Sequence, residues 1–210
     1  MKRLVTIILA GILCAWTVAS ATEEWAGVFL NPERDQWQMP HLVMRLMGVQ
    51  TGEKAAAIGT ESGLYVRWLS RWTGGNGVVY YVSPDKGAVE YIRNPDGFAL
   101  PDHLNAFLAA PDDPALPKGE LDHLLLVNSL HTVQKRARYF KDLARTLKPT
   151  GRLTIIDWQQ GEIENAPPEE KRLSRDSVVA ELTEAGWSLV TESVALPYQY
   201  LLIFHPPGAE

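Results

Sequence analysis

The sequence predicts an α/β protein built on a doubly wound, mostly parallel sheet with helices on both faces. Three observations predict it. Apolar runs such as Val78 to Val82, Leu121 to Val127 and Leu153 to Asp157 alternate with segments of helical period. Those runs lack the strict alternation of half-exposed strands, as parallel strands covered on both faces do. Near the end, Ser188 to Val194 and Gln199 to Phe204 read as strands separated by only four residues. That gap is too short for a helical crossover, so the two should form an antiparallel hairpin.

Taken in order, the chain opens with Lys2 and Arg3, an apolar stretch from Leu4 to Val18, and the small residues Ala19-Ser20-Ala21. This is the layout of a signal peptide, residues 1–21, cleaved after Ala21. The apolar run is about 15 residues, short of the roughly 20 that a spanning helix needs. Leu13 before Cys14 does not suit a lipid-attachment signal. The expected mature chain, 22–210, is one exported domain, with the periplasm as the simplest destination. It keeps no cysteine, since Cys14 is the sole one. About 190 residues can bury a core without disulfides.

Helices are expected over Pro40 to Met47, Glu61 to Trp72, Thr132 to Leu147 and Ser174 to Ala185. Each has apolar residues recurring every three or four positions and a glycine or proline stop nearby. In the third, Val133, Ala137, Phe140, Ala144 and Leu147 are the expected buried stripe, and Lys148-Pro149-Thr150-Gly151 the stop. Lys54 to Ile58 reads as a short strand of small residues. The Pro-rich stretches 111–117 and 166–168 read as loops.

Basic residues number 20 and acidic residues 25, for a net charge of −5. Loss of Lys2 and Arg3 with the leader makes it about −7. Nucleic-acid partners call for the opposite sign. The cluster Lys135, Arg136, Arg138 and Lys141 reads as a solvated helix face. The five histidines show no metal-ligand spacing, and His205 before Pro206-Pro207 reads as exposed tail. The seven tryptophans read mostly as packing; Trp37 and Trp158 are the two to test against a pocket.

Four segments together resemble class I S-adenosylmethionine-dependent methyltransferases. They are Arg34-Asp35-x-Trp37-Gln38-x-Pro40, Ala57-Ile58-Gly59-x-x-x-Gly63, Leu124 to Val127 running into Asn128-Ser129-Leu130-His131, and Leu147-Lys148-Pro149-x-Gly151. Leu196-Pro197-Tyr198-Gln199-Tyr200 is similar to the closing hairpin of small bacterial members. The resemblance implies a Rossmann-like sheet of about seven strands, with the cofactor across the carboxyl ends of the first ones. S-adenosylmethionine is the implied cofactor. Gly59, Glu61, Gly63, Ser83, Asp85, Asp112 and Asn128 fall at or near its binding positions.

The sequence also departs from that family's pattern. Ala57 stands where an acidic residue usually ends the first strand, and Glu61 where the loop's middle glycine belongs. Ser83 takes the place of the carboxylate that accepts the ribose hydroxyls, and Ala109-Ala110 that of a Gly-Asp pair. Two functions follow. One is methyl transfer to an unidentified small-molecule or protein acceptor. Here His131 is the candidate base, because histidine exchanges protons near neutral pH, or else a loop residue capping the helix that follows. Asp157 faces the same rim, as a second candidate or as a loop-ordering carboxylate. The other is a non-catalytic binding or scaffolding module in the periplasm, which the altered loop and the predicted export both favour. The orientation of Glu61 separates them: an unpaired charge in the crevice would crowd the cofactor, and a carboxylate turned outward at the helix start would not.

Overall fold

The computed structural model describes residues 31–94, 101–164 and 166–209. The predicted leader, 1–21, lies outside them. Among the described residues, no helix is long and apolar enough to cross a membrane.

Two short helices come first, α1 (Pro32–Gln38) and α2 (Pro40–Met47). Asn31 caps α1 by accepting the Glu33 amide at 2.9 Å, and each helix has proline in its first turn, where the missing N–H costs nothing. Met39 joins them at φ 43°, a strained value for a residue with a Cβ. Then follow β1 (Lys54–Ile58), α3 (Gly63–Thr73), β2 (Val78–Ser83), α4 (Lys86–Arg93), β3 (Leu104–Leu108), β4 (Leu121–Val127), α5 (Arg136–Ala144), β5 (Leu147–Trp158), α6 (Arg175–Glu184), β6 (Ser188–Ser193) and β7 (Gln199–His205).

The seven strands form one sheet in the order β3-β2-β1-β4-β5-β7-β6. Neighbours from β3 through β5 are parallel, and β7 runs antiparallel to both β5 and β6. One face packs under α2, α3 and α4, with Met44, Met47, Tyr65 and Leu69 fully buried. The other packs under α5 and α6, around Phe140, Leu143 and Leu182.

Four expectations are corrected. The third predicted helix is shorter, because residues 130–132 form a 3-10 turn and Leu147 already belongs to β5. Its buried face is Tyr139, Phe140 and Leu143, and Ala137 is exposed. The Lys148 to Gly151 stop is absorbed into β5 as a register shift against β4, between the pairs Leu121↔Leu147 and His123↔Arg152, so the helix ends by running straight into a bulged strand. Arg136 is not on a solvated face: it grips Glu181 of α6 through two bonds of 2.6 and 2.7 Å. His205 is no tail residue but the last position of β7.

Candidate functional site

The strand order reverses between β1 and β4, and the carboxyl ends flanking that switch leave a crevice, as open α/β sheets do. Here the crevice is a cleft of about 440 Å³, within the roughly 300–1,000 Å³ usual for small-molecule sites. Its lining includes Gly59, Glu61, Ser83, Asn128 and Ser129, with Arg34 reaching in from α1. Gly59 leaves β1 at φ 95°, and a Cβ there would lie 2.5 Å from the Ser129 Cβ. Only glycine lets the β1 loop and the end of β4 approach so closely.

At one end of the cleft the polar side chains form a chain of contacts. The Arg34 guanidinium is 3.5 Å from the Glu61 carboxylate, and its Nε donates to Gln38 Oε1 at 2.9 Å. Asn128 Nδ2 donates to Glu61 at 2.9 Å, and Gln199 Nε2 donates to Asn128 Oδ1 at 2.8 Å. Gln38, Asn128 and Gln199 are buried, and the Glu61 side chain keeps 40% of its exposure. Burial lowers the pKa of Arg34, and Glu61 opposes that shift. Glu61 therefore neither turns outward nor stands as a bare charge. It lines the cleft with a cation beside it.

The other end is built differently. Ser83 Oγ lies 3.0 Å from Thr60 Oγ1 and accepts the Asp85 amide at 3.1 Å. Tyr81 donates to the Thr60 carbonyl at 3.0 Å. The Asp85 carboxylate accepts the Ala88 amide at 2.9 Å and so caps α4; it does not line the cleft. Asp112 is exposed and outside the lining, where Ala109, Ala110 and Pro111 stand instead. Gly63 sits at ordinary helical φ at the start of α3, also outside the lining. Asp85, Asp112 and Gly63 thus lie outside the cleft lining that brings Gly59, Glu61, Ser83 and Asn128 together.

His131 is exposed and lies on the cleft's edge in the 3-10 turn after β4. Asp157 is separated from it. At 2% exposure it accepts the Trp158 amide at 2.8 Å through Oδ1, and Oδ2 has no partner. Burial pushes its pKa up to about 7, with a smaller push from Glu61. Trp37 and Trp158 do not line the cleft; their rings meet at 5.3 Å, with Tyr198 edge-on to Trp37 at 5.9 Å. The residues that sequence reasoning missed are Gln199, Thr60 and the role of Arg34 as the partner of Glu61. The N-terminal and hairpin motifs that resembled the family were the one available signal for Arg34 and Gln199.

Comparisons with known proteins agree with this architecture. Residues 56–155 match the methyltransferase domain family. A crystal structure of a SAM-dependent methyltransferase from Aquifex aeolicus is 23% identical, with a TM-score of 0.78 over 87% of this chain and 97% of that one. A putative type 11 methyltransferase from Sulfolobus solfataricus is 19% identical, TM-score 0.64, over 81% and 92%. Geranyl diphosphate C-methyltransferase from Streptomyces coelicolor, in complex with Mg2+, geranyl diphosphate and S-adenosyl-L-homocysteine, is 14% identical, TM-score 0.65, over 85% and 82%. No curated protein matches the sequence at a significant level. Residues 56–155 thus match a methyltransferase domain, and the chain has the fold of the S-adenosylmethionine-dependent methyltransferases it is similar to.

Proposed function

We propose that this chain is an exported methyltransferase that binds S-adenosylmethionine in the cleft between β1 and β4 and methylates an acceptor still to be identified. The observation that carries the reading is the opposed pair Arg34 and Glu61 on the cleft wall, 3.5 Å apart. An α-amino acid end carries both charges, and that pair offers a partner to each. The carboxylate absent at Ala57 is in effect supplied four positions later. The bare backbone of Gly59 admits a ligand close to β1, and Ser83 with Thr60 offers hydroxyls instead of a carboxylate at the ribose end. When bound, S-adenosylmethionine supplies an electrophilic methyl group. The chain's own contribution is then mainly position and exclusion of water. His131, at the cleft's edge, is placed to accept a proton from the acceptor. Asp157 is buried outside the cleft lining in this arrangement. Export rests on the leader-like segment 1–21, with the periplasm as destination.

A second reading has its own support. Ser83, Thr60 and Asp85 are engaged with one another or with backbone, so the ribose end makes no demand for a ligand. On that reading the fold is a non-catalytic binding module, and the Glu61–Arg34 contact occupies the place of a ligand's amino-acid end. Calorimetric titration of residues 22–210 with S-adenosylmethionine and S-adenosylhomocysteine, beside a Glu61→Gly variant, separates the two. The methyltransferase reading expects micromolar binding that Glu61→Gly weakens. No binding by the natural protein, with binding gained in Glu61→Gly, would establish the second reading instead.

A further inference from the structure

We propose that Gln199, on the last strand, is a positioning residue that holds Glu61 in place through Asn128; the inference rests on the reading of Glu61 as a partner for the cofactor's amino-acid end. The three side chains come from β7, the β1 loop and the end of β4, and the two bonds that join them are 2.8 and 2.9 Å. Their directions are fixed by chemistry. A carboxylate only accepts, so Asn128 must turn its NH₂ toward Glu61 and its carbonyl toward Gln199. Gln199 must then donate, and its Nε2 does.

The backbone carries a second sign of the same arrangement. Asn128 sits at φ 49°, a left-handed conformation that asparagine tolerates better than most residues but that still needs holding. Its amide N donates to the Ile156 carbonyl at 2.9 Å, and both ends of its side chain are engaged. Gln199 itself is wholly buried, so its orientation is not exchangeable with solvent. The relay points one way, from a residue that never touches the cleft to the carboxylate that lines it.

The test compares two nucleosides that differ at the amino-acid end. S-adenosylhomocysteine carries that end and 5′-methylthioadenosine lacks it. In Gln199→Met, which keeps the volume without the donor, the preference for S-adenosylhomocysteine should fall about tenfold, with 5′-methylthioadenosine binding unchanged. Gln199→Glu should do the same even if the methionine variant fails to fold. In measurements above about pH 9, where even a buried carboxyl ionises, a carboxylate at 199 would turn the Asn128 amide around and present its oxygen to Glu61. Equal weakening of both nucleosides, or an unchanged preference, overturns the proposal. If the natural protein binds neither nucleoside, the proposed function fails and the relay is decided without ligand. The Asn128 side-chain amide signals in a ¹H–¹⁵N spectrum should then move in both Glu61→Gln and Gln199→Glu. Signals that stay in place in Gln199→Glu sink the relay.

Discussion

At the amino ends of the central strands, charged side chains meet in separate pairs. Lys54 joins Glu120 at 2.6 Å, Lys148 joins Asp122 at 2.7 Å, and His123 joins Glu53 at 2.9 Å. The two lysines remain well exposed. At the carboxyl ends, Arg34, Glu61, Asn128 and Gln199 are linked in series and largely buried. Several buried polar atoms there have no partner at all: Gln38 Nε2, Ser129 Oγ, Asp157 Oδ2, Trp158 Nε1 and Gln199 Oε1. An unsatisfied buried group costs about 1–3 kcal/mol, and the amino rim carries one such atom, His123 Nδ1, against these five. The amino rim fastens the sheet with two pairs that solvent screens and a third, His123 with Glu53, whose histidine is buried. The carboxyl rim gives up stability for a site.

The largest expected effect that could break this comparison is at Asp157. Its carboxyl has an ordinary value of 3.8 and is raised to about 7 in the folded chain, chiefly by burial. A raised carboxyl holds its proton more tightly when folded, so its contribution is full below the ordinary value and is lost as pH rises toward 7. Asp157→Asn should therefore be more stable than the natural chain at pH 8, by a few kcal/mol on the order of 4. Urea unfolding between pH 4 and pH 8 checks this; curves that run parallel would mean the carboxyl carries no such cost. Next is Gly59→Ala, expected to lose roughly 2–4 kcal/mol because a positive φ and a clash with Ser129 coincide. Gly52, before β1, has φ 89° but nothing within 4 Å of a Cβ, so Gly52→Ala should cost only about 1 kcal/mol. Equal melting shifts in the two variants would remove the close approach from the argument.

Smaller effects sharpen the contrast. Arg34→Met should cost about 1–3 kcal/mol, since it strips a buried donor from Gln38 and a cation from Glu61. Lys148→Met, at a 40% exposed lysine, should cost about 1 kcal/mol or less. Adding 1 M salt should erase the second loss more fully than the first. The smallest change is expected at the ribose end. With hydroxyls there in place of a carboxylate, removal of the ribose 2′-hydroxyl from S-adenosylhomocysteine should weaken binding by less than about tenfold. A much larger loss would show a charged acceptor acting from elsewhere.

Strands with continuous apolar runs were legible in the sequence, as was the closing hairpin, because burial on both faces leaves few polar letters. What was missed lay at edges and surfaces. β3 reads Leu-Asn-Ala-Phe-Leu, with Asn105 and Leu108 exposed, and an edge strand need not be apolar throughout. α1 holds only Arg34 and Gln38 as buried residues, the reverse of an apolar stripe. The glycine loop, Ser83 and Asn128 could be located on the cleft through the family resemblance, which assigns those strand ends to the cofactor. The pairing of Glu61 with Arg34 could not, because a charge's partner is chosen in space and these two are 27 residues apart. Gln199 and Asn128 are separated by 71, and nothing local marks either as part of a relay.

The position of β7 between β5 and β6 has a consequence for how the molecule is made. Chain leaving a ribosome presents β5 some forty residues before β7, and β6 follows with no neighbour to join, so the sheet cannot close in order of synthesis. Until β7 slides between them, β5 shows an open edge of apolar residues and Asn128 lacks the glutamine that holds it. The contact of Asn128 with Gln199 therefore waits until the last strand has been made.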